Sequence, residues 1–184
     1  MRRPYSIFRY NPDMQQLSQE LESLIGLGLN PAQINALDVY AHELAEGNES
    51  YSLTAIHEPE KVRIKHFLDS LSVYLAMRNT AVERVIDVGT GAGFPGLPLK
   101  ILCPQIQLTL VESVTKKAEF CQHIVDMLGL DHVTIICQRA EIIGSDLAFR
   151  EKYDWAIARA VALMPILMEY LLPLVRVGGR VLAM

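Results

Sequence analysis

No Cys-x-x-Cys pair, no histidine–cysteine cluster and no uninterrupted apolar run of membrane length occurs in this 184-residue chain. Each absence closes a class of function. The three cysteines, Cys103, Cys121 and Cys137, stand far apart in apolar contexts. That excludes a zinc framework and a disulfide scaffold, predicts buried and reduced thiols, and leaves no metal site to expect. The apolar runs are many but short, below the roughly 18 residues of a membrane helix. A mean hydropathy of +0.20 therefore reflects a packed core, and no membrane partner is expected. No apolar segment follows Met1-Arg2-Arg3-Pro4-Tyr5-Ser6. This predicts no secretory signal and a cytoplasmic location, where the triplet Asn48-Glu49-Ser50 has no glycosylating machinery to meet. Positive charge is also scarce: 17 Lys and Arg against 21 Asp and Glu give a net charge of −4. That argues against a wholly basic nucleic-acid-binding domain but leaves room for a local basic patch. There are no internal repeats and no low-complexity segment.

What is present is a globular balance, with 51% hydrophobic and 21% charged residues, and a change of style near residue 83. Before it the signals are helical. Leu17, Leu21, Leu24 and Ile25 share one face of a segment from Met14 to Ile25. Asn30-Pro31 reads as an N-cap with proline at the first helical position, followed by Ile34, Leu37, Val39, Tyr40 and Leu44, with Gly47 as the stop. A third helix spans Glu58 to Met77, with Phe67, Leu68, Leu71 and Leu75 apolar and acids in its first turn. After residue 83 strands alternate with helices. The strands are Arg84 to Val88, Gln107 to Val111, His132 to Cys137, Tyr153 to Ala158 and Arg180 to Met184. The helices are Gly96 to Leu102, Lys116 to Leu128 and Met164 to Val175. Such alternation predicts an α/β fold, a doubly wound and mostly parallel sheet, with 1–82 as an N-terminal helical extension and 83–184 as the ligand-binding domain.

The ligand loop is Asp87-Val-Gly89-Thr-Gly91-Ala-Gly93-Phe94-Pro-Gly96. Its glycines allow backbone angles and a close ligand approach that a Cβ would forbid. Gly91-x-Gly93-x-x-Gly96 also fits the dinucleotide fingerprint, so a nicotinamide-dependent oxidoreductase stays open. Asp87 discriminates, because an acid there suits the amino-acid part of S-adenosylmethionine and repels a pyrophosphate. Glu112, ending the second strand, suits ribose hydroxyls in either case. Arg139-Ala140-Glu141 follows the third strand. It reads either as a contact to adenine or as a helix cap with an exposed ion pair.

At these residues the chain resembles one family. The run from Val85 to Leu99, the upstream Leu53-Thr54 and Arg63-x-x-His66-Phe-x-Asp69-Ser70, and the downstream Glu112-Ser113, Lys116-Lys117, Arg139-Ala140-Glu141 and Ala158-Arg159-Ala160 are similar to the bacterial RsmG (GidB) family. Its members are methyltransferases of guanine N7 in small-subunit ribosomal RNA, on the Rossmann-like class I fold. The resemblance implies S-adenosylmethionine as cofactor and small-subunit ribosomal RNA, or the subunit itself, as partner. It places Gly89 and Phe94 on the methyl-donor site, Glu112 on the ribose, and Ala140 and Glu141 beside the adenine. Arg159 would reach cofactor or target base, Lys116, Lys117 and Arg139 would face RNA, and His66, Asp69 and Ser70 would lie near the cofactor. Ser52 stands where the family usually has asparagine. The chain stops at Met184, in the fifth strand, before the hairpin that family members carry. It is therefore expected to be a C-terminally incomplete, monomeric domain, with an exposed strand edge as the route to any association. A truncated, inactive cofactor-binding domain is a further reading.

The chemistry expected of such a site is sparse. No Asn-Pro-Pro-Tyr-like string follows the fourth strand; Asp154-Trp-Ala-Ile-Ala-Arg159 stands there. Guanine N7 has a free in-plane lone pair, so transfer needs alignment and no obligatory base. His66 and Asp69 remain candidates, Asp69 as a carboxylate facing the methylated purine, each with a plain structural role as the alternative. Lys116 and Lys117 read equally as a solvated helix face. Phe94 and Trp155 offer rings for base stacking, Trp155 more as core. Arg2, Arg3 and Arg9 read as a solvated tail, with phosphate contact as the alternative.

Overall fold

The computed structural model describes residues 12–184, so the arginines of the N-terminal tail lie outside the described residues. Helix α1 (Pro12–Ile25) leads into α2 (Pro31–Tyr51). The α2 start is a reciprocal cap: Asn30 Oδ1 accepts from the Gln33 amide at 2.9 Å, and Gln33 Oε1 accepts from the Asn30 amide at 3.0 Å. The same Gln33 side chain donates to the Ile101 and Leu102 carbonyls, tying α2 to the end of a helix about 70 residues on. Gly47 does not stop α2, contrary to the sequence reading; the helix runs to Tyr51 and ends at Ser52, whose φ is 51°. Gly47 is there for space. A Cβ would lie 2.9 Å from Leu53 Cδ1 and 3.2 Å from Phe120 Cε2.

The third predicted helix is one continuous rod of three pieces, α3 (Pro59–Val62), a π-helical turn (Arg63–Leu68) and α4 (Asp69–Met77). Leu24 and Leu75 were expected to face the core, but both are solvent-exposed. Arg63 is buried and paired with Glu20 of α1.

Five parallel strands follow: β1 (Arg84–Val88), β2 (Gln107–Glu112), β3 (Val133–Cys137), β4 (Tyr153–Ala158) and β5 (Val175–Ala183), ordered β3-β2-β1-β4-β5. Between them run α5 (Gly96–Leu102), α6 (Thr115–Leu128), α7 (Ala140–Ser145) and α8 (Met164–Leu171). Alternate residues of β1 serve opposite faces. Val85 joins a large core with Leu17, Leu37, Tyr40, Phe67 and Phe120, while Ile86 and Val88 join a smaller one with Ile143, Leu167 and Leu171. The larger core thus draws on residues from both sides of position 83.

Several boundaries differ from expectation. Helix α7 was anticipated only as the capped start that was one reading of 139–141. The helix expected to reach Val175 ends at Leu171 and closes with a 3-10 turn (Leu172–Leu174). Strand β5 then starts at Val175 and is bulged, Tyr153 pairing with Val175 but Trp155 with Arg180. Gly178-Gly179 forms this bulge, and a Cβ on Gly179 would meet the Arg176 and Tyr153 carbonyls at 2.9 and 3.0 Å. Of the cysteines, Cys121 is buried as expected, Cys103 half-buried, and Cys137 exposed. No helix among the described residues is long and apolar enough to cross a membrane.

Candidate functional site

In a doubly wound parallel sheet the crevice lies at the carboxyl ends of the strands, where the strand order reverses. Here that is the junction of β1 and β4, and the glycine loop leaves β1 there. The Gly89 and Thr90 amides donate to the Val111 carbonyl at 2.8 and 3.1 Å, folding the loop back over β2. Asp87 is wholly buried beneath it. Its Oδ2 accepts from Thr90 Oγ1 at 2.6 Å and from the Gly96 amide at 2.8 Å, while Oδ1 has no hydrogen-bond partner. Asp87 therefore ties the loop's two ends together and keeps one oxygen in reserve. Glu112, also buried, grips the middle of the loop. Its Oε2 accepts from the Gly91 amide and its Oε1 from the Val114 amide, both at 2.8 Å. Above Gly91, whose φ is 61°, a Cβ would meet nothing within 4 Å, so this backbone faces open space. An open glycine surface, a neighbouring buried carboxylate that grips it, and an unpartnered carboxylate oxygen beneath fit a ligand bearing vicinal hydroxyls and positive charge.

Gly93 is constrained on the other side. Its φ is 99°, and a Cβ would lie 2.4 Å from Leu97 Cδ1 and 2.5 Å from Tyr40 Oη. Gly93→Ala adds backbone strain to overpacking and is expected to cost roughly 3 kcal/mol, measured by chemical denaturation. A cost below about 1 kcal/mol would mean that the loop shifts freely to accept a methyl group.

Phe94 was expected to be available to a ligand or a base. The structure corrects this for base stacking, because both faces of the ring are taken: Tyr40 stacks on one side at 5.0 Å and His66 at 4.8 Å. Phe67 closes the edge at 5.3 Å. Phe94 is the peg by which the glycine loop enters the helical layer. Trp155 is buried, as expected of core.

Arg159 follows β4 and reaches across to the π-helical turn. It donates to the Lys65 carbonyl at 2.8 Å, to Asp69 Oδ2 at 2.8 Å and to His66 Nδ1 at 3.2 Å, with its guanidinium 5.6 Å from the Phe94 ring centre. The three residues singled out as candidate chemistry are thus assembled at one place, but they are spent on one another. An Nδ1 that accepts from Arg159 leaves the proton on Nε2, which donates to Thr54 Oγ1 at 2.8 Å. Burial and the Arg159 charge hold the His66 pKa down at about 4, so the ring is neutral and both nitrogens are committed. Ser70, one turn on, is buried with its hydroxyl unpartnered.

His66 and Asp87 give the protein two opposed pH responses in one window. Burial raises the Asp87 pKa from 3.8 to about 6. Between these values the native state holds more proton than the unfolded chain, so this group's contribution falls as pH rises, by about 3 kcal/mol at full ionisation. For His66, lowered from 6.5 to about 4, the native state holds less proton and stability rises with pH over the same interval, by an amount that partial exposure reduces. The parent profile between pH 4 and 6 is expected to be nearly flat in these two contributions. Asp87→Asn should tilt it upward with pH and His66→Gln downward, read from urea midpoints at pH 4, 5 and 6. Parallel profiles for all three proteins would show that neither group is perturbed.

The remaining candidates sit on the same sheet edge. Gly89 lies under Val161, whose Cγ2 would be 2.5 Å from a Cβ there. Lys116 and Lys117 are in the first turn of α6, Lys116 exposed with its Nζ 5.7 Å over the Tyr51 ring. Arg139 is the N-cap residue of α7 and pairs with Glu141 at 3.9 Å, and Tyr170 donates to Glu141. Arg139 thus stands at the helix start without a side-chain capping bond, in an exposed ion pair with Glu141, and Ala140 is half-buried between them. Arg139 brings the third cation to the carboxyl edge.

Sequence reasoning missed Tyr40, Thr90, Cys121 and Asn48. Asn48 accepts from the Thr54 amide and bonds His57, shaping the loop that presents Thr54 to His66. Only Asn48 carried a signal, a polar residue on an otherwise apolar stripe of α2.

Comparison with known proteins adds an independent line. The family model described as rRNA small subunit methyltransferase G matches residues 33–184. The chain is 51% identical over 158 residues to a ribosomal RNA small subunit methyltransferase G of Roseiflexus castenholzii, covering 86% of this chain and 67% of that protein. With the protein of that name from Alkaliphilus metalliredigens the identity is 46%, over 84% of this chain and 65% of the relative. The chain thus spans about two thirds of the length of these relatives. Among solved structures, one described as an O-methyltransferase from Klebsiella pneumoniae aligns with a TM-score of 0.61 at 18% identity, over 92% of this chain and 73% of that one. That likeness bears on the fold.

Proposed function

Since the chain belongs to the rRNA small subunit methyltransferase G family, we propose that it binds S-adenosylmethionine on the glycine loop and serves transfer of its methyl group to N7 of a guanosine in small-subunit ribosomal RNA. The observation that carries this reading is the pairing of an open Gly91 backbone with the Glu112 carboxylate and the reserved oxygen of Asp87. A carboxylate under the loop favours a cationic ligand and disfavours the pyrophosphate of a nicotinamide dinucleotide. The bound donor supplies an electrophilic sulfonium methyl; sulfur keeps the electrons of the broken bond and N7 gains a methyl and a positive charge.

The residues of the site do the rest. Glu112 holds the ribose hydroxyls while its grip on the Gly91 amide keeps the loop in register. Ala140 and Glu141 flank the adenine. Asp87 balances the donor's charge from below. Arg159, fixed by Lys65, Asp69 and His66, walls the side on which the guanine arrives. A base is not required, since N7 carries no proton, and His66 is neutral with both nitrogens engaged. Lys116, Lys117 and Arg139 meet phosphates along the rim, and contacts of that kind weaken as salt rises.

Calorimetric titration with S-adenosylmethionine, with NAD as control, tests the cofactor. Transfer of labelled methyl to naked small-subunit RNA and to the assembled subunit, with the modified base identified by mass spectrometry, tests the substrate. Donor binding and 7-methylguanosine are expected. Binding of NAD alone would overturn the class, and label on an exocyclic amino group would overturn the N7 assignment.

A further inference from the structure

Helix α2 belongs to the N-terminal helical layer, yet one of its side chains ends inside the glycine loop. Tyr40 is fully buried, and its hydroxyl donates to the Ala92 carbonyl at 2.5 Å. Ala92 stands between Gly91 and Gly93, both at positive φ. Neither neighbour has a side chain to restrain the adjoining peptide planes, so the segment from 91 to 93 depends on polar contacts for its orientation. The side-chain contacts come from three elements of the fold. Glu112 of β2 accepts from the Gly91 amide, the Cys121 thiol of α6 lies 3.4 Å from the Gly91 carbonyl, and Tyr40 holds the Ala92 carbonyl. The thiol is a weak donor, and Glu112 also faces the ligand side. The Thr90 and Gly93 carbonyls on either side accept from backbone amides; among the described side chains, Tyr40 is the strong donor that holds a loop carbonyl, that of Ala92.

The ring is placed for this by packing. It lies flat against Phe94 at an interplanar angle of 7°, with Phe67 edge-on at 5.4 Å, which sets both its angle and its height. The hydroxyl occupies the volume that a side chain on Gly93 would need. Burial pushes its pKa well above the ordinary tyrosine value, so it remains a donor throughout the working range.

From this geometry we infer that Tyr40 is a positioning residue for methyl-donor binding: its hydroxyl fixes the Ala92 peptide and so sets the backbone surface at Gly91 against which the donor lies. The inference rests on the methyl-donor reading above. It makes the N-terminal helical layer part of the cofactor site, acting through the loop.

The test is Tyr40→Phe, which removes one oxygen and keeps the stacking ring. The dissociation constant for S-adenosylmethionine, and KM where transfer is assayed, should rise about tenfold, with kcat at saturating donor within about threefold of the parent. A role in stability alone would not produce that split. Leu17→Ala, a core deletion in α1 away from the loop, is the comparison. It should lower the unfolding temperature at least as much while leaving donor affinity within about twofold. Equal donor affinity in Tyr40→Phe and parent overturns the inference, and so does an equal loss in Leu17→Ala. If the parent itself binds no methyl donor, the underlying reading fails first and the inference with it, an outcome visible before any variant is made.

Discussion

Arg159→Met is expected to lower methyl transfer by at least about two orders of magnitude and to destabilise the fold by about 2 kcal/mol. The stability figure lies between two limits. Exposed ion pairs contribute less than about 1 kcal/mol, and breaking a buried pair costs about 3 to 5. Arg159 is 17% exposed and its partner Asp69 is 43% exposed, so the abandoned carboxylate can turn to water, which excludes the upper limit. The Lys65 carbonyl and His66 Nδ1 lose a donor in the same step, which excludes the lower one. In a domain of this size about 2 kcal/mol corresponds to a fall of roughly 4–8 °C in unfolding temperature. The larger effect on transfer follows from place. Arg159 connects the end of β4 to the π-helical turn and lies over Phe94, so its loss frees the side of the crevice that the proposed reading gives to the acceptor. Arg159→Lys keeps the charge but cannot reproduce three diverging N–H bonds, and should recover stability more than rate. Calorimetric melts and single-turnover transfer read the two quantities separately. A transfer rate within tenfold of the parent in Arg159→Met would remove Arg159 from the acceptor side.

That latch also shows where the sequence was readable. Strand ends and the loop were legible because two strong local signals coincide there, a short apolar run and glycines at fixed offsets. The predicted Tyr153 to Ala158 and Gly96 to Leu102 are the observed bounds of β4 and α5. The motif residues His66, Asp69 and Arg159 were legible as a set, but their geometry was not. Between 59 and 77 an apolar periodicity cannot separate an α-turn from a π-turn, and it is the π-turn whose Lys65 carbonyl and His66 ring Arg159 meets. Gly47 read as a helix stop because local rules favour glycine there, yet the pressure on it is tertiary, from Phe120, 73 positions later. Phe94 read as a ring for base stacking because an aromatic in a ligand loop looks available. Only the three-dimensional arrangement shows Tyr40 and His66 covering it. Asp87 was identified as the discriminating acid; the structure adds that most of its hydrogen bonding is internal to the loop, with a single oxygen left over. Tyr40 was legible as core by spacing, and nothing in a helical stripe distinguishes a tyrosine that packs from one that also donates.

Glu112→Ala is expected to weaken S-adenosylmethionine binding by about a hundredfold, and Glu112→Gln by about tenfold. The carboxylate makes two charge-assisted bonds within the protein, to the Gly91 and Val114 amides, and the proposed reading adds the ribose hydroxyls. Hydrogen bonds to charged groups contribute about 1.5–3 kcal/mol each. Loss of one such interaction with the donor, together with a loosened Gly91 amide, gives the larger figure. Glutamine keeps one acceptor oxygen but must turn its NH2 toward one of the two amides, donor against donor, so it recovers part of the affinity and not all. Both variants should also fold less stably, since Val114 precedes α6 and its amide loses an acceptor, but by no more than about 1–2 kcal/mol in a half-exposed turn. The two consequences are separable. Titration well below the unfolding temperature reports the donor site, and the melt without ligand reports the turn. Affinity for RNA, which the proposed reading assigns to the rim cations, should hardly change, so KM for RNA stays near the parent value while KM for the donor rises. Donor binding in Glu112→Ala as tight as in the parent would show that Glu112 serves the loop alone, and the ribose would then need another partner on the carboxyl edge of the sheet.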